Sequence, residues 1–145
     1  MLTAVNKSLF STIVGIAVAS TLVTGAAHAE TRLQIAYSNA AVYKAVHEGI
    51  AAKFMELHPD IKIEFRAPPR SYEELAQQLM RDKITGTLPD VAFNGSNQLG
   101  LFMEQKLPVP IDSHAQADGG MEKLGYHPAL AALGKRNDAQ YGVPF

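Results

Sequence analysis

Between Thr31 and Phe93 the apolar residues change their spacing repeatedly, from steps of two to steps of three and four and back again. That alternation narrows the choice of fold more than any other property of the chain. The segment TRLQIAY puts Leu33, Ile35 and Tyr37 on one side of an extended backbone, the period of a strand. Val42, Val46, Ile50, Phe54 and Leu57 then recur as one stripe of a helix, expected to face the core. Pro59 and Asp60 end it, because proline has no amide hydrogen and disfavours helix in the residue before it. In IKIEF, Ile61, Ile63 and Phe65 alternate with Lys62 and Glu64, which suits a strand at a sheet edge. Pro68 and Pro69 precede a second helix, opened by the capping box Ser71/Glu74. Tyr72, Leu75, Leu79 and Ile84 line this helix, and Gly86 and Pro89 close it. Asp90–Phe93 forms a third strand running into the polar turn Asn94-Gly95-Ser96-Asn97, and Leu99, Phe102 and Met103 mark a third helix ending near Gln105.

Past this point the pattern weakens. Residues 107–112 (LPVPID) read as an extended, proline-pinned segment and 115–120 as a loop. Pro128 to Leu133 suits one short helix with proline in its first turn, and Tyr141–Phe145 reads as a strand beginning. Strand and helix in strict alternation imply an α/β fold, a mostly parallel sheet flanked by helices and joined by right-handed crossovers. If the second strand is the edge, the order is 2-1-3 and the switch point lies between strands one and three. Ligands of such sheets sit beyond the carboxyl ends of the strands at that point, here against Ser38-Asn39 and Asn94-Gly95-Ser96.

Residues 1–29 stand outside this pattern. Lys7 is followed by an uncharged run to Ala29, apolar from Leu9 to Val23 and ending in Ala27-His28-Ala29. A basic start, an apolar middle and small residues at the last and third-last positions make a secretory signal peptide, cut before Glu30. An uncleaved membrane anchor is the bland alternative, interrupted here by Ser11, Thr12, Ser20, Thr21 and Thr24. The expectation is a leader at 1–29 and a single domain at 30–145, exported to a bacterial periplasm. The chain has no cysteine, which excludes a disulfide scaffold, a thiolate metal site, a cysteine nucleophile and a lipid-bearing cysteine. A net charge of −1 leaves no footprint for nucleic acid, and 47% hydrophobic residues suit a folded chain.

Catalytic patterns are not visible. His47, His58, His114 and His127 fall in no H-E-x-x-H run and in no close cluster with carboxylates, so each reads as a surface or packing residue. Ser96 sits at a strand-to-helix junction, but its surroundings, Phe93-Asn94-Gly95-Ser96-Asn97-Gln98, are not the G-x-S-x-G of a nucleophile elbow. Neither glycine-rich phosphate motif occurs, and Glu73 and Glu74 point about 100° apart on a helix. Nothing calls for a cofactor or a metal. Polar recognition fares better: Tyr37, Ser38, Asn39, Tyr43, Arg70, Tyr72, Asn94 and Ser96 fall at or near the carboxyl-end loops. Flat aromatic faces beside fixed donors and acceptors are what a sugar needs, while Arg70 could instead clamp an anionic group. Each residue has a plainer reading, as core or capping aromatic or as solvated loop charge.

Several stretches, taken in order, carry a resemblance. LQIAYSNAAVYKAVHEGIAAKFMELHPDIKIEF, SYEELAQQLMRDKITGTLPDVAFNGSN, LPVPID and YGVPF resemble bacterial extracellular solute-binding proteins, most closely those serving ABC importers of sugars and of glycerol phosphate. The most specific pieces are Phe54/His58-Pro59-Asp60-Ile61, Leu88-Pro89-Asp90-Val91 and Tyr141-Gly142-Val143-Pro144-Phe145. The resemblance implies a periplasmic-binding-protein-like lobe of a two-lobed receptor, monomeric, closing on its solute by a hinge and docking on a membrane permease. It implies ligand contacts from Tyr37, Ser38, Asn39 and Tyr43, from Arg70, Ser71 and Tyr72, from Asn94, Gly95 and Ser96, and from Phe145. Members of the family are several times longer, so the sequence reads as an amino-terminal piece lacking the second lobe. The expected function is capture of a carbohydrate, or a glycerol-phosphate-like solute, for import, without catalysis. A small secreted α/β hydrolase using Ser96, a stand-alone interaction domain and a non-functional truncated fragment stay open beside it.

Overall fold

A computed structural model describes residues 30–145; the leader and its cleavage position lie outside them. Strand β1 (Thr31–Ala36) runs into helix α1 (Ala40–Leu57), strand β2 (Ile61–Phe65), helix α2 (Tyr72–Thr85) and the short strand β3 (Val91–Ala92). The sheet is parallel in the order β2-β1-β3, with Ile35 opposite both Phe65 and Val91. The α/β class, the edge position of β2 and the switch point between β1 and β3 are as the sequence implied. The third strand is only two residues long, shorter than Asp90–Phe93.

Adjacent strand residues point to opposite faces, and β1 uses both. Ala36 meets Leu75 and Leu79 of α2, with Phe102 of helix α3 (Leu99–Glu104) packed beside them. Leu75 is 0% exposed, and burying a leucine of this kind stabilises by roughly 1.5–3 kcal/mol. Tyr37 turns the other way, toward α1. The capping box is half formed: Ser71 Oγ accepts from the Glu74 amide at 3.2 Å and satisfies one free donor of α2, while the Glu74 carboxylate accepts from the Arg70 amide and not from that of Ser71. The helix ends at Gly86, whose φ of 70° only glycine adopts without strain, with the Thr87 amide returning to Asp82 O at 2.8 Å.

The apolar stripe of α1 is the main correction. Val42, Val46, Ile50 and Leu57 are 56–66% exposed, and the helix instead buries His47 and Ala51. Tyr43, His47, Ala51 and Phe54 share a second face at helical spacing, and this is the one turned inward. Rings at the carboxyl ends of the strands, Tyr37, Phe65 and Phe93, select it by packing on His47. The small Ala51 lets the helix lie close to the sheet. Ile84, expected to line α2, is exposed as well.

The remainder also differs from the sequence reading. Residues 115–117 are not loop but the last turn of helix α4 (Asp112–Ala117), and only 118–120 form a turn, in which the Gly119 and Gly120 amides donate to Gln116 O and Ala115 O. After α5 (Pro128–Ala131), continued by a 3-10 turn at Ala132–Gly134, comes an antiparallel hairpin of β4 (Lys135–Arg136) and β5 (Ala139–Gln140). Asn137 and Asp138 join the strands with φ of 50° and 64°, the two-residue turn that suits strand twist. Tyr141–Phe145 has no regular structure and pairs with no strand among the described residues. The hairpin anchors α4, since the Gln140 amide donates to both Asp112 carboxylate oxygens at 3.1 Å. Among the described residues no helix is long and apolar enough to cross a membrane.

Candidate functional site

Three loops meet beyond the carboxyl ends of β1 and β3, because parallel strands deliver their exits to one edge of the sheet. The first, Tyr37–Asn39, is tied to the second by the Asn39 amide, which donates to Pro69 O at 3.2 Å. The second ends in Tyr72, whose hydroxyl donates to the Tyr43 hydroxyl at 3.1 Å and so joins α2 to α1 over the switch point. The third, Asn94–Ser96, lies against the second: a Cβ on Gly95 would stand 3.4 Å from the Tyr72 ring. Phe145 arrives from the far end of the chain, with its ring centroid 5.9 Å from Tyr43 and 5.0 Å from Phe93.

Asn39 takes a left-handed conformation, φ 55° and ψ 53°, in the residue that starts α1. Asparagine tolerates this region better than most side chains. Its side chain donates to Ser38 Oγ at 3.3 Å and does not cap the helix, so α1 begins with no side-chain acceptor and no acid in its first turn. Asn94 Oδ1 accepts from the Gly95 amide at 2.8 Å, which leaves its Nδ2 buried without a partner. Hydrogen bonding to Tyr43, then burial, then the nearness of the second phenol push the Tyr72 hydroxyl up to about 12, so it stays protonated and able to donate. Glu73 is held below the usual carboxylate range by its own amide and by Ser71.

The eleven residues expected from sequence divide by position, Ser71 being the N-cap of α2. Tyr43, Tyr72, Gly95 and Phe145 come together at the crevice, with Asn39, Asn94 and Ser96 on the adjoining loops. Tyr37 and Ser38 are buried and form the floor beneath the loops, so neither offers an open surface. Arg70 is exposed, and only its amide is engaged, donating to Glu74 Oε2 at 3.0 Å. One neighbour of these loops was not among the expected residues. His47, read as an isolated helical histidine, sits 4.4 Å from the Phe93 ring and 4.8 Å from the Tyr37 ring at the centre of this floor. Its sequence signal was the helical spacing of Tyr43, His47 and Ala51, hidden by the more apolar stripe beside it.

Among the described residues no group of histidine, aspartate or glutamate could hold a metal ion, and no hydrogen bond joins Ser96 to a base. The arrangement can bind a polar solute by hydroxyls, amides and ring faces. A family profile for bacterial extracellular solute-binding proteins matches residues 37–145. The chain belongs to that family. No curated protein sequence matches it. Among solved structures, the galacto-N-biose/lacto-N-biose I-binding protein of an ABC transporter from Bifidobacterium longum, in complex with lacto-N-biose, is similar at a TM-score of 0.67 and 19% identity, covering 80% of this chain and 28% of that one. The sugar-binding protein MalE from Xanthomonas citri gives 0.66 and 19%, covering 79% and 28%. The maltose/maltodextrin-binding domain MalE from Bdellovibrio bacteriovorus, bound to maltotriose, gives 0.62 and 21%, covering 76% and 27%. The chain thus spans little more than a quarter of the length of these relatives. At such identities the likeness is one of fold, and the family and these relatives are substrate-binding transport proteins.

Proposed function

We propose that residues 30–145 are the amino-terminal lobe of a periplasmic receptor, exported by a leader at 1–29, which captures a carbohydrate for an ABC permease. The observation that carries the reading is the pair Tyr43–Tyr72 held over the switch point, with Asn39, Asn94 and Ser96 on the adjoining loops. Two phenols and two amides match a hydroxylated, uncharged ligand: rings cover its C–H faces while donors and acceptors meet its hydroxyls. Similar structures carry lacto-N-biose, maltotriose and mannotriose, which supports the same class of solute here. The proposed contacts are Asn39, Tyr43, Arg70, Tyr72, Asn94, Gly95, Ser96 and Phe145, with Tyr37 and Ser38 shaping the floor.

Each lobe of such a receptor supplies part of the ligand contact, so a single lobe binds weakly and closure supplies the rest. The receptor then meets the permease as a monomer. Calorimetric titration with maltotriose, lacto-N-biose, mannotriose and glycerol 3-phosphate tests the reading. Saturable binding of one neutral sugar, lost in Tyr72→Ala, is expected; no binding at millimolar sugar overturns it. The exposed Arg70 guanidinium favours one specific second reading, an acidic sugar or phosphorylated polyol. In that case glycerol 3-phosphate binds and Arg70→Ala abolishes it.

A further inference from the structure

We propose that His47 is a positioning residue that makes the binding crevice acid-labile: its protonation loosens the aromatic cluster from which every solute-contacting loop hangs, and solute affinity falls. The proposal rests on the solute-binding reading above and adds a regulation to it. His47 is 6% exposed, and its Nε2 is buried with no hydrogen-bond partner. Five aromatic rings surround it. Phe93 stacks at 4.4 Å with planes tilted 35°, Tyr37 meets it edge-on at 4.8 Å, and Tyr43, Phe145 and Phe65 follow at 5.8, 6.1 and 6.4 Å.

Four of these rings belong to different parts of the crevice, and the fifth, Phe65, ends β2. Tyr37 immediately precedes Ser38-Asn39, and Phe93 immediately precedes Asn94-Gly95-Ser96. Tyr43 holds the Tyr72 hydroxyl and through it the loop at Arg70-Ser71. Phe145 touches Tyr43 and Phe93 as well as His47. One imidazole is therefore the shared neighbour of all the loops that would hold solute.

A neutral imidazole can rest among rings with one nitrogen unpartnered, but an imidazolium carries two N–H donors and a charge. In this cage Nε2 would have neither water nor an acceptor. Ring faces attract a cation, yet that attraction is smaller than the loss of hydration on full burial. The titratable groups whose rings face His47 are the phenols of Tyr37 and Tyr43, with Tyr72 behind Tyr43; the other rings against it are those of phenylalanines. Burial alone moves the imidazole, downward from its usual range, with no carboxylate to offset it. A base held neutral by the fold contributes stability above pH 6.5, and that contribution is lost as the pH falls below it and the opened form takes the proton.

The chain has no tryptophan, so its near-ultraviolet circular dichroism reports tyrosine packing, and three of five tyrosines lie in or against this cage. The full chain is titrated from about pH 7.5 to about pH 5, and maltotriose affinity is measured across the same range. The expected result is loss of the tyrosine band while the far-ultraviolet signal persists. Affinity weakens by up to about 30-fold at pH 5, the ratio by which a proton at an ordinary imidazole pKa favours the opened site. Both effects vanish in His47→Phe, and in His47→Gln should the phenylalanine variant fail to fold. A tyrosine band and an affinity that stay flat with pH, or a pH dependence that survives in both variants, overturn the proposal. A His47-dependent tyrosine transition without sugar binding supports the switch and refutes the choice of solute.

Discussion

Val46→Lys on α1 separates the face that sequence periodicity selects from the face the fold buries. Val46 is 56% exposed, so a little under half of its surface is covered. Full burial of valine is worth roughly 1.5–3 kcal/mol, which leaves about 1 kcal/mol at stake here. A lysine stem recovers part of that covered area, and lysine is the better helix former by a few tenths of a kcal/mol. The net cost is expected between about 0 and 1 kcal/mol. Had the stripe of Val42, Val46 and Ile50 faced the core, an unpaired ammonium would be buried at several kcal/mol and the chain would unfold. The control is Ala51→Leu on the buried face, where extra methylenes have no room and about 1–3 kcal/mol is lost. Urea unfolding followed by far-ultraviolet circular dichroism gives both values, provided the slope is unchanged. A loss above about 2 kcal/mol for Val46→Lys, or a smaller loss for Ala51→Leu than for Val46→Lys, would refute the placement of α1.

Ser71→Ala removes the acceptor of the Glu74 amide and should cost about 1 kcal/mol in the same urea assay. Gly86→Ala should cost about 1 kcal/mol from backbone strain alone, because a Cβ there meets nothing within 4 Å; a stabilised variant would show that the left-handed turn is absent. Arg66 bonds Asp82 at 2.8 Å and Gln34 at 2.7 Å, joining β2, α2 and β1, and both ionic partners are only about a fifth exposed. Arg66→Met is expected to lower stability by about 2 kcal/mol, measured as the shift in urea midpoint, by leaving Asp82 without its partner. Tyr72 keeps its proton to about 12. A raised folded-state pKa on an acid gives stability that is complete below pH 10 and lost as pH rises toward 12. Ultraviolet titration should show Tyr72 ionising late, and Tyr43→Phe should bring it back toward 10.

The local parts of this protein were legible in its residues. Alternating Leu33, Ile35 and Tyr37, the capping box at Ser71/Glu74 and the stop at Gly86 each act within one turn or one strand, so their physics is contained in a short stretch of chain. From those parts the α/β class, the edge strand β2 and the crevice between β1 and β3 followed by chirality and packing rules. The candidate loops at 38–39 and 94–96 came from the same reasoning, and the loop at 70–72 from the family resemblance. Even the hairpin that escaped notice had a local sign, Asn137-Asp138 between two short extended pairs.

Tertiary structure decided everything that depends on which surfaces meet. Helix α1 has two faces that could be buried, and periodicity ranks them by hydropathy, which favours valines and isoleucines over a tyrosine and a histidine. The carboxyl ends of the strands present rings at Tyr37, Phe65 and Phe93, and all three pack on His47, which Tyr43 flanks on its own helix. Tyr37 and Ser38 lie buried beneath the loops, and His47 is the common neighbour of Tyr37, Tyr43 and Phe93. Helix α4 likewise exists through its bonds to Gln140, which lies 28 residues from Asp112. A short-range pattern states what each element offers; only the partner brought by the fold determines which offer is taken, because burial energy belongs to the pair of surfaces and not to either one.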